Sequence, residues 1–186
     1  PALDSAGRAT VTGSTRSTNF PTTPGAFDRT FGAGTCGTPP DTYPCSDAFV
    51  AQLNATGSAL VYSTFLGGSN RESCCDIALD NSGAATVTGS TRSDDFPTTP
   101  GAFDRTYGGG TCGSSSNPYP CDDAFVVRLN ATSSALVYGT FLGGSNSDYG
   151  SAFALDNSGA TTVIGSTRSD DFPTTSGAFD RIYNGN

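Results

Sequence analysis

The segment ALDNSGAATVTGSTRSDDFPTTPGAFDR, residues 78–105, decides the fold because it is written three times. It stands at 2–29 as ALDSAGRATVTGSTRSTNFPTTPGAFDR and at 154–181 as ALDNSGATTVIGSTRSDDFPTTSGAFDR, each copy 76 residues from the last. The register does not slip: 52 of the 76 positions in residues 1–76 recur unchanged in 77–152. A fixed period of this kind marks units whose apolar faces are covered only by stacking on neighbours. The chain divides accordingly into repeat unit 1 (1–76), repeat unit 2 (77–152) and a partial repeat unit 3 (153–186). With no initiator Met and no signal peptide, it reads as a stretch of a longer array.

Inside the quoted segment, Asn81-Ser82-Gly83 separates two short apolar runs. Asn and Gly tolerate positive φ, so this is a hairpin signal with a mechanism. Four strands are predicted per unit; in the second they fall at 73–80, 84–91, 123–130 and 134–144. Along DAFVVRLN (123–130), Phe125, Val127 and Leu129 share one face while Ala124, Val126 and Arg128 share the other. Both faces carry apolar residues, as expected of a sheet packed between two others. The connection from Asp95 to Cys121 is 27 residues long, which calls for a tie, and GAFDRT within it is expected to form a single helical turn. The predicted fold is all-β: tandem four-stranded antiparallel blades of 76 residues, arranged as a β-propeller segment or as an open stacked array.

Composition agrees. Thr, Val, Phe and Tyr suit a pleated surface, while good helix formers are scarce and Glu72 is the sole glutamate. The net charge is −8 and all nine basic residues are Arg, so there is no basic footprint for nucleic acid. No apolar run approaches the roughly 18–20 residues that span a bilayer.

Six cysteines are present. CGTPPDTYPC (Cys36 to Cys45) and CGSSSNPYPC (Cys112 to Cys121) share one spacing, bracket turn formers and lack any His partner for zinc. Local disulfides Cys36–Cys45 and Cys112–Cys121 are predicted, and with them an oxidising, extracytoplasmic location. Cys74 and Cys75 stand outside the repeat, since Gly150 and Ser151 occupy their places one unit later. Two readings stay open for them: bonding to each other or to another molecule, or two thiols on a strand facing opposite ways.

No catalytic constellation assembles. Without His or Lys, Ser nucleophiles lack their usual bases. The GxGxxG stretches at 32–37 and 108–113 run straight into the Cys-bracketed loops and lack the strand–turn–helix context of nucleotide binding. Adjacent carboxylates at Asp94–Asp95, Asp122–Asp123 and Asp170–Asp171 point to opposite faces of an extended chain, and are expected to be solvated or paired with Arg92 and Arg168. No cofactor is predicted, with calcium as the one candidate: Asp80, Asn81, Asp156 and Asn157 offer oxygen ligands in turns, set against the simpler reading of Asx turns. Asp28, Asp104 and Asp180, with Arg29, Arg105 and Arg181, are expected to fix loops by hydrogen bonds and ion pairs. Asn54-Ala55-Thr56 and Asn130-Ala131-Thr132 are N-glycosylation sequons on exposed turns.

The stretches DAFVAQLNATGSALVYSTFLGGSN, ALDNSGAATVTGSTRSDDFPTTPGAF and GGSNSDYGSAFALD resemble the beta-propeller repeat family (SBBP repeats) of bacterial secreted and surface proteins. The likeness covers nearly the whole chain, although SNRESCCD at 69–76 departs from SNSDYGSA at 145–152. It implies four-stranded blades and an extracellular or envelope setting, and it carries no general catalytic residues. The expected function is an extracellular structural repeat protein, part of a surface fibre, stalk or matrix. Its expected partners are further copies or repeats of itself and glycans. The alternative is a propeller-type binding module for carbohydrate or protein.

Overall fold

The computed structural model describes residues 1–186 except Ala33, Asn157 and Asn186. Among the described residues there are strands and turns and no helix. Unit 1 contributes β1 (Ala2–Leu3), β2 (Ala9–Thr15), β3 (Thr35–Thr38), β4 (Asp41–Pro44), β5 (Asp47–Leu53) and β6 (Leu60–Leu66). Unit 2 repeats them as β7 (Glu72–Leu79), β8 (Ala85–Thr91), β9 (Thr111–Ser114), β10 (Asn117–Pro120), β11 (Asp123–Leu129) and β12 (Leu136–Leu142). Unit 3 supplies β13 (Asp148–Leu155) and β14 (Thr161–Thr167).

The strands form antiparallel sheets in the orders β1-β2-β5-β6 and β7-β8-β11-β12, plus the pair β13-β14 and the small hairpins β3-β4 and β9-β10. The second four-stranded sheet opens at Glu72, so a period counted from Pro1 cuts β7 after Asp76. β7 packs across β1, β2 and β5 of the first sheet, and β13 packs across β7, β8 and β11 of the second. The second sheet therefore lies between the other two, as the two-sided apolar pattern of DAFVVRLN requires.

The turn that joins the first two strands of each unit is built by an Asp side chain. Asp80 Oδ1 accepts the Ser82 N–H (2.8 Å) and the Ala84 N–H (3.0 Å), and Gly83 takes φ +84°. Asp4 and Asp156 do the same in their own units. The loop after β8 then doubles back along β12: Thr99 N–H bonds Gly139 O (3.1 Å) and Phe141 N–H bonds Asp104 O (3.1 Å). Phe65 N–H bonds Asp28 O in the same way (3.0 Å). This loop caps the outer edge of each complete sheet, which blunts edge-to-edge pairing and leaves the faces for stacking.

Two expectations need correction. GAFDRT forms no helical turn, because Thr99-Pro100-Gly101-Ala102 closes a β-turn (Ala102 N to Thr99 O, 3.1 Å) with Gly101 at φ +81°. Proline followed by left-handed glycine is type II turn chemistry, and the chain beyond runs extended beside β12. The Cys-bracketed stretch is also more ordered than a tied loop: it pairs as a hairpin, with Cys112 opposite Tyr119 and Thr111 opposite Pro120.

Ser133 is the one non-glycine described at positive φ, +52°, and Gly57 holds the same turn of unit 1 at +69°. The Ser133 side chain is fully buried and its hydroxyl meets no partner among the described residues. Left-handed backbone costs a non-glycine residue about 1–2 kcal/mol, offset in part by the greater unfolded freedom of glycine. Ser133→Gly is expected to raise stability by about 0.5–1 kcal/mol in urea denaturation. A loss of stability would contradict this account of the turn.

Candidate functional site: buried carboxyl pairs between successive sheets

Each sheet-to-sheet junction is built around two carboxyl groups that lie 25 residues apart in the chain. Asp47 opens β5 in the first sheet and Glu72 opens β7 in the second. One period later, Asp123 opens β11 and Asp148 opens β13. The backbone brings them together, since Glu72 N–H bonds Ser46 O (2.7 Å) and Asp148 N–H bonds Asp122 O (2.6 Å). These bonds run from one sheet to the next, so the acids sit where the sheets meet.

Glycine makes the approach possible. A methyl group on Gly67 would lie 2.6 Å from Glu72 Oε2 and 2.9 Å from Asp47 Oδ1. One on Gly143 would lie 2.7 Å from Asp123 Oδ1 and 2.9 Å from Asp148 Oδ2. Both carboxyls of each pair thus converge on one bare Cα, and all four acids are at most 1% exposed.

Hydroxyl and amide donors surround them. Glu72 Oε1 accepts from Thr91 Oγ1 (2.7 Å) and Ser93 Oγ (2.5 Å). Asp148 Oδ2 accepts from Ser169 Oγ (2.7 Å) and the Gly144 N–H (2.8 Å). Asp47 and Asp123 each take a glycine N–H on Oδ2, from Gly32 (2.8 Å) and Gly108 (2.7 Å). The Oδ1 atoms of Asp123 and Asp148 are buried and meet no donor among the described residues.

Burial pushes the Glu72 carboxyl up to about 8 against the hydrogen bonds of Ser93 and Thr91, with Asp47 adding repulsion. Burial likewise pushes Asp123 up to about 7, with repulsion from Asp148 working against the Gly108 bond. Two carboxyls in one buried site cannot both ionise cheaply, so the arrangement favours retention of a proton. Among the described residues no three acidic, Cys or His side chains gather as a metal cluster. No family model matches the chain. No curated protein matches it either.

Of the adjacent aspartates, Asp94, Asp95, Asp170 and Asp171 are exposed and Asp122 is paired with an arginine, while Asp123 departs from the expectation by being buried. Arg92 does not pair with Asp94 or Asp95; its guanidinium grips Asp122 Oδ2 (Nε 3.1 Å, Nη2 2.9 Å) and stacks over the Tyr119 ring at 4.4 Å. Asp95 and Asp171 hold the Gly-Gly-Ser-Asn loops instead, accepting the N–H groups of Ser69 and Ser145 at 2.8 Å. Asp28, Asp104 and Asp180 do fix loops, through the N–H groups of Thr30, Thr106 and Ile182. Among the described residues, however, the ion pairs are Arg8–Asp4, Arg92–Asp122 and Arg128–Asp80, so Arg29, Arg105 and Arg181 take no part.

Of the calcium candidates, Asp80 is fully engaged: Oδ1 holds its own turn and Oδ2 meets Arg128. Burial opposes ionisation of Asp80, but the Ser82 and Ala84 bonds and the Arg128 charge outweigh it and hold the carboxyl low. Asp156 Oδ1 closes an equivalent turn through Ser158 and Ala160. Asn81 is exposed in its turn, and Asn157 lies outside the described residues.

The disulfides Cys36–Cys45 and Cys112–Cys121 are both formed, each closing a hairpin. Cys74 and Cys75 are free thiols at a β-bulge, Cys74 packed against the core and Cys75 exposed. Burial pushes the Cys74 thiol up to about 12 and raises Cys75 as well, so neither is an activated thiolate. Asn54 and Asn130 sit in turns between strands and are half-buried, not freely exposed. Their Oδ1 atoms accept the N–H of Ser58 and Ser134 (2.9 Å) and their Nδ2 atoms donate to the same serines' hydroxyls (3.0 Å).

Proposed function

We propose that the chain is a segment of an extracellular structural repeat protein, whose sheets stack face to face to build a surface fibre, stalk or matrix. One observation carries this reading. The strand ATVTGST occurs identically as β2 and β8; β8 is buried at every position, whereas β2 is mostly half-exposed. The equivalent β14, TTVIGST, is also exposed over much of its length. The same residues are covered only where a sheet lies on either side, so the sequence is suited to an interior place in a stack.

Two further features support it. Phe27 N–H bonds Ser133 O of the following unit (2.8 Å), while the equivalent Phe103 is 70% exposed. A cavity of about 220 Å³ over Gly165, lined by Val163, Phe172, Ala124 and Leu142, resembles the seat that Phe125 fills over Gly89. A strand carrying Phe in that register fits there, which favours further repeats or copies of the same chain as partners. The two disulfides support an oxidising, extracytoplasmic setting. No helix among the described residues is long and apolar enough to cross a membrane. The resemblance to bacterial beta-propeller repeats agrees with this setting.

The adhesion reading has one observation in its favour. A cleft of about 300 Å³ between the two disulfide hairpins is lined by Tyr43, Tyr119, Arg71, Arg92 and Asn70. Arg71 is replaced by Ser147 one unit later, so this cleft breaks the repeat symmetry. A glycan array probed with the chain and with Arg71→Ser separates the readings. Binding that the substitution abolishes favours adhesion, and absence of binding favours a structural role.

A further inference from the structure

We propose that each sheet-to-sheet junction is a proton-binding site: the Asp47–Glu72 and Asp123–Asp148 carboxyl pairs each hold one shared proton, which latches successive sheets together and is lost in alkali. The inference rests on the junction geometry and stands whether the array serves as a fibre or as an adhesion module. Four observations combine. The pair recurs at both junctions, its members come from different sheets, all four acids are buried, and both carboxyls converge on one bare glycine Cα. At the second junction Asp123 Oδ1, which faces Asp148 Oδ2 across Gly143, meets no donor, and a proton carried on it gives this buried atom a hydrogen-bonding role.

Glu72 is faced by Asp47 from β5, by the hydroxyls of Thr91 and Ser93 and by the Gly68 amide, with the Cys74 thiol nearby. Asp123 is faced by Asp148 from β13, by Asp104 and Tyr107 from the long connection and by the Gly108 and Gly109 amides. Arg92 and Asp122 lie close by and bond each other. No ion pair among the described residues involves Glu72, Asp123 or Asp148. In the proposed step each pair passes from one shared proton and a charge of −1 to two carboxylates and −2, the proton going to solvent.

The direction of the pH effect follows from linkage. Glu72 is raised from 4.5 to about 8 and Asp123 from 3.8 to about 7, so between these limits the folded chain binds more protons than the unfolded one. Stability is therefore fully present below the ordinary carboxyl values and is lost as pH rises through about 7–8. Each pair lowers the folded-to-unfolded ratio about tenfold per pH unit within its window. Asp4, Asp80, Asp156 and Asp171 are held low, so their titration lies below this range.

The test is denaturant unfolding of the whole chain at intervals from about pH 5 to pH 9, with and without EDTA, for the wild type, Glu72→Gln/Asp123→Asn and the control Asp94→Asn. The amides mimic the protonated acids. The wild type and the control are expected to lose stability steeply toward alkali, and the double variant to give a nearly flat profile. A flat wild-type profile, or a double variant as steep as the wild type, overturns the proposal. So does loosening by EDTA at neutral pH, which would place a metal between the carboxyls. Should the double variant not fold, infrared spectroscopy of the wild type decides: a protonated-carboxyl band must persist at about pH 6 and vanish above about pH 9.

Discussion

Truncating Phe125 to Ala is expected to cost about 3–5 kcal/mol, the largest effect of any single change considered. Phe125 is fully buried, lies over Gly89 and contacts Phe96 at 4.5 Å between ring centroids. Phe96 in turn lies 6.0 Å from Phe141, which meets Tyr107 at 6.0 Å, so the deletion opens a cavity in a continuous aromatic column. Unit 1 builds the same column from Phe20, Phe49, Phe65 and Phe31, with Phe20–Phe49 at 4.4 Å. There Phe49 is only half-buried. Phe49→Ala should accordingly cost distinctly less, because less of its surface is withdrawn from water. Urea denaturation of the two variants makes the comparison. Equal losses would contradict the view that the second sheet alone is covered on both faces.

Removing one disulfide should have the second largest effect, and a local one. Cys112 and Cys121 are 9 residues apart, and closing so short a loop contributes about 2.5–3 kcal/mol on the chain-entropy model. The hairpin it closes is exposed apart from its two cysteines, and a two-stranded hairpin alone is marginal in water. In Cys112→Ser/Cys121→Ser, amides of 111–120 are expected to exchange rapidly while β8 and β11 keep their protection. Loss of protection across the whole second sheet would mean that the hairpin is part of the main core. Peptide mapping without reductant checks the pairing itself, and a Cys36–Cys112 link would rule out the local arrangement.

Much of the fold is legible in the sequence because its signals are local. Asp80-Asn81-Ser82-Gly83 states its hairpin through a side-chain-capped turn and a left-handed glycine, and Phe125, Val127 and Leu129 state their face by alternation. The hairpin β9–β10 is obscured because SSSNPYP reads as turn chemistry throughout, and its pairing rests on the disulfide and on backbone register. GAFDRT misleads for a related reason: it carries helix-compatible residues, but Pro100-Gly101 and the hydrogen bonds to β12 draw it out alongside the edge strand.

The carboxyl pairs are hidden for another reason, since no local rule joins residues 25 apart on different sheets. Adjacent acids such as Asp122–Asp123 draw the eye, yet their side chains part company, Asp122 to Arg92 and Asp123 to the next sheet. One signal was available. In the stretch where 71–76 and 147–152 diverge completely, the sole glutamate, Glu72, aligns with Asp148, so acidity is kept where everything else changes.

The central claim is that these units continue as an open face-to-face stack. Negative-stain electron microscopy of the native assembly tests it most directly. The account predicts extended filaments, with a regular axial repeat set by the 76-residue unit. Discrete discs, the product of repeats that close into a ring, would contradict it.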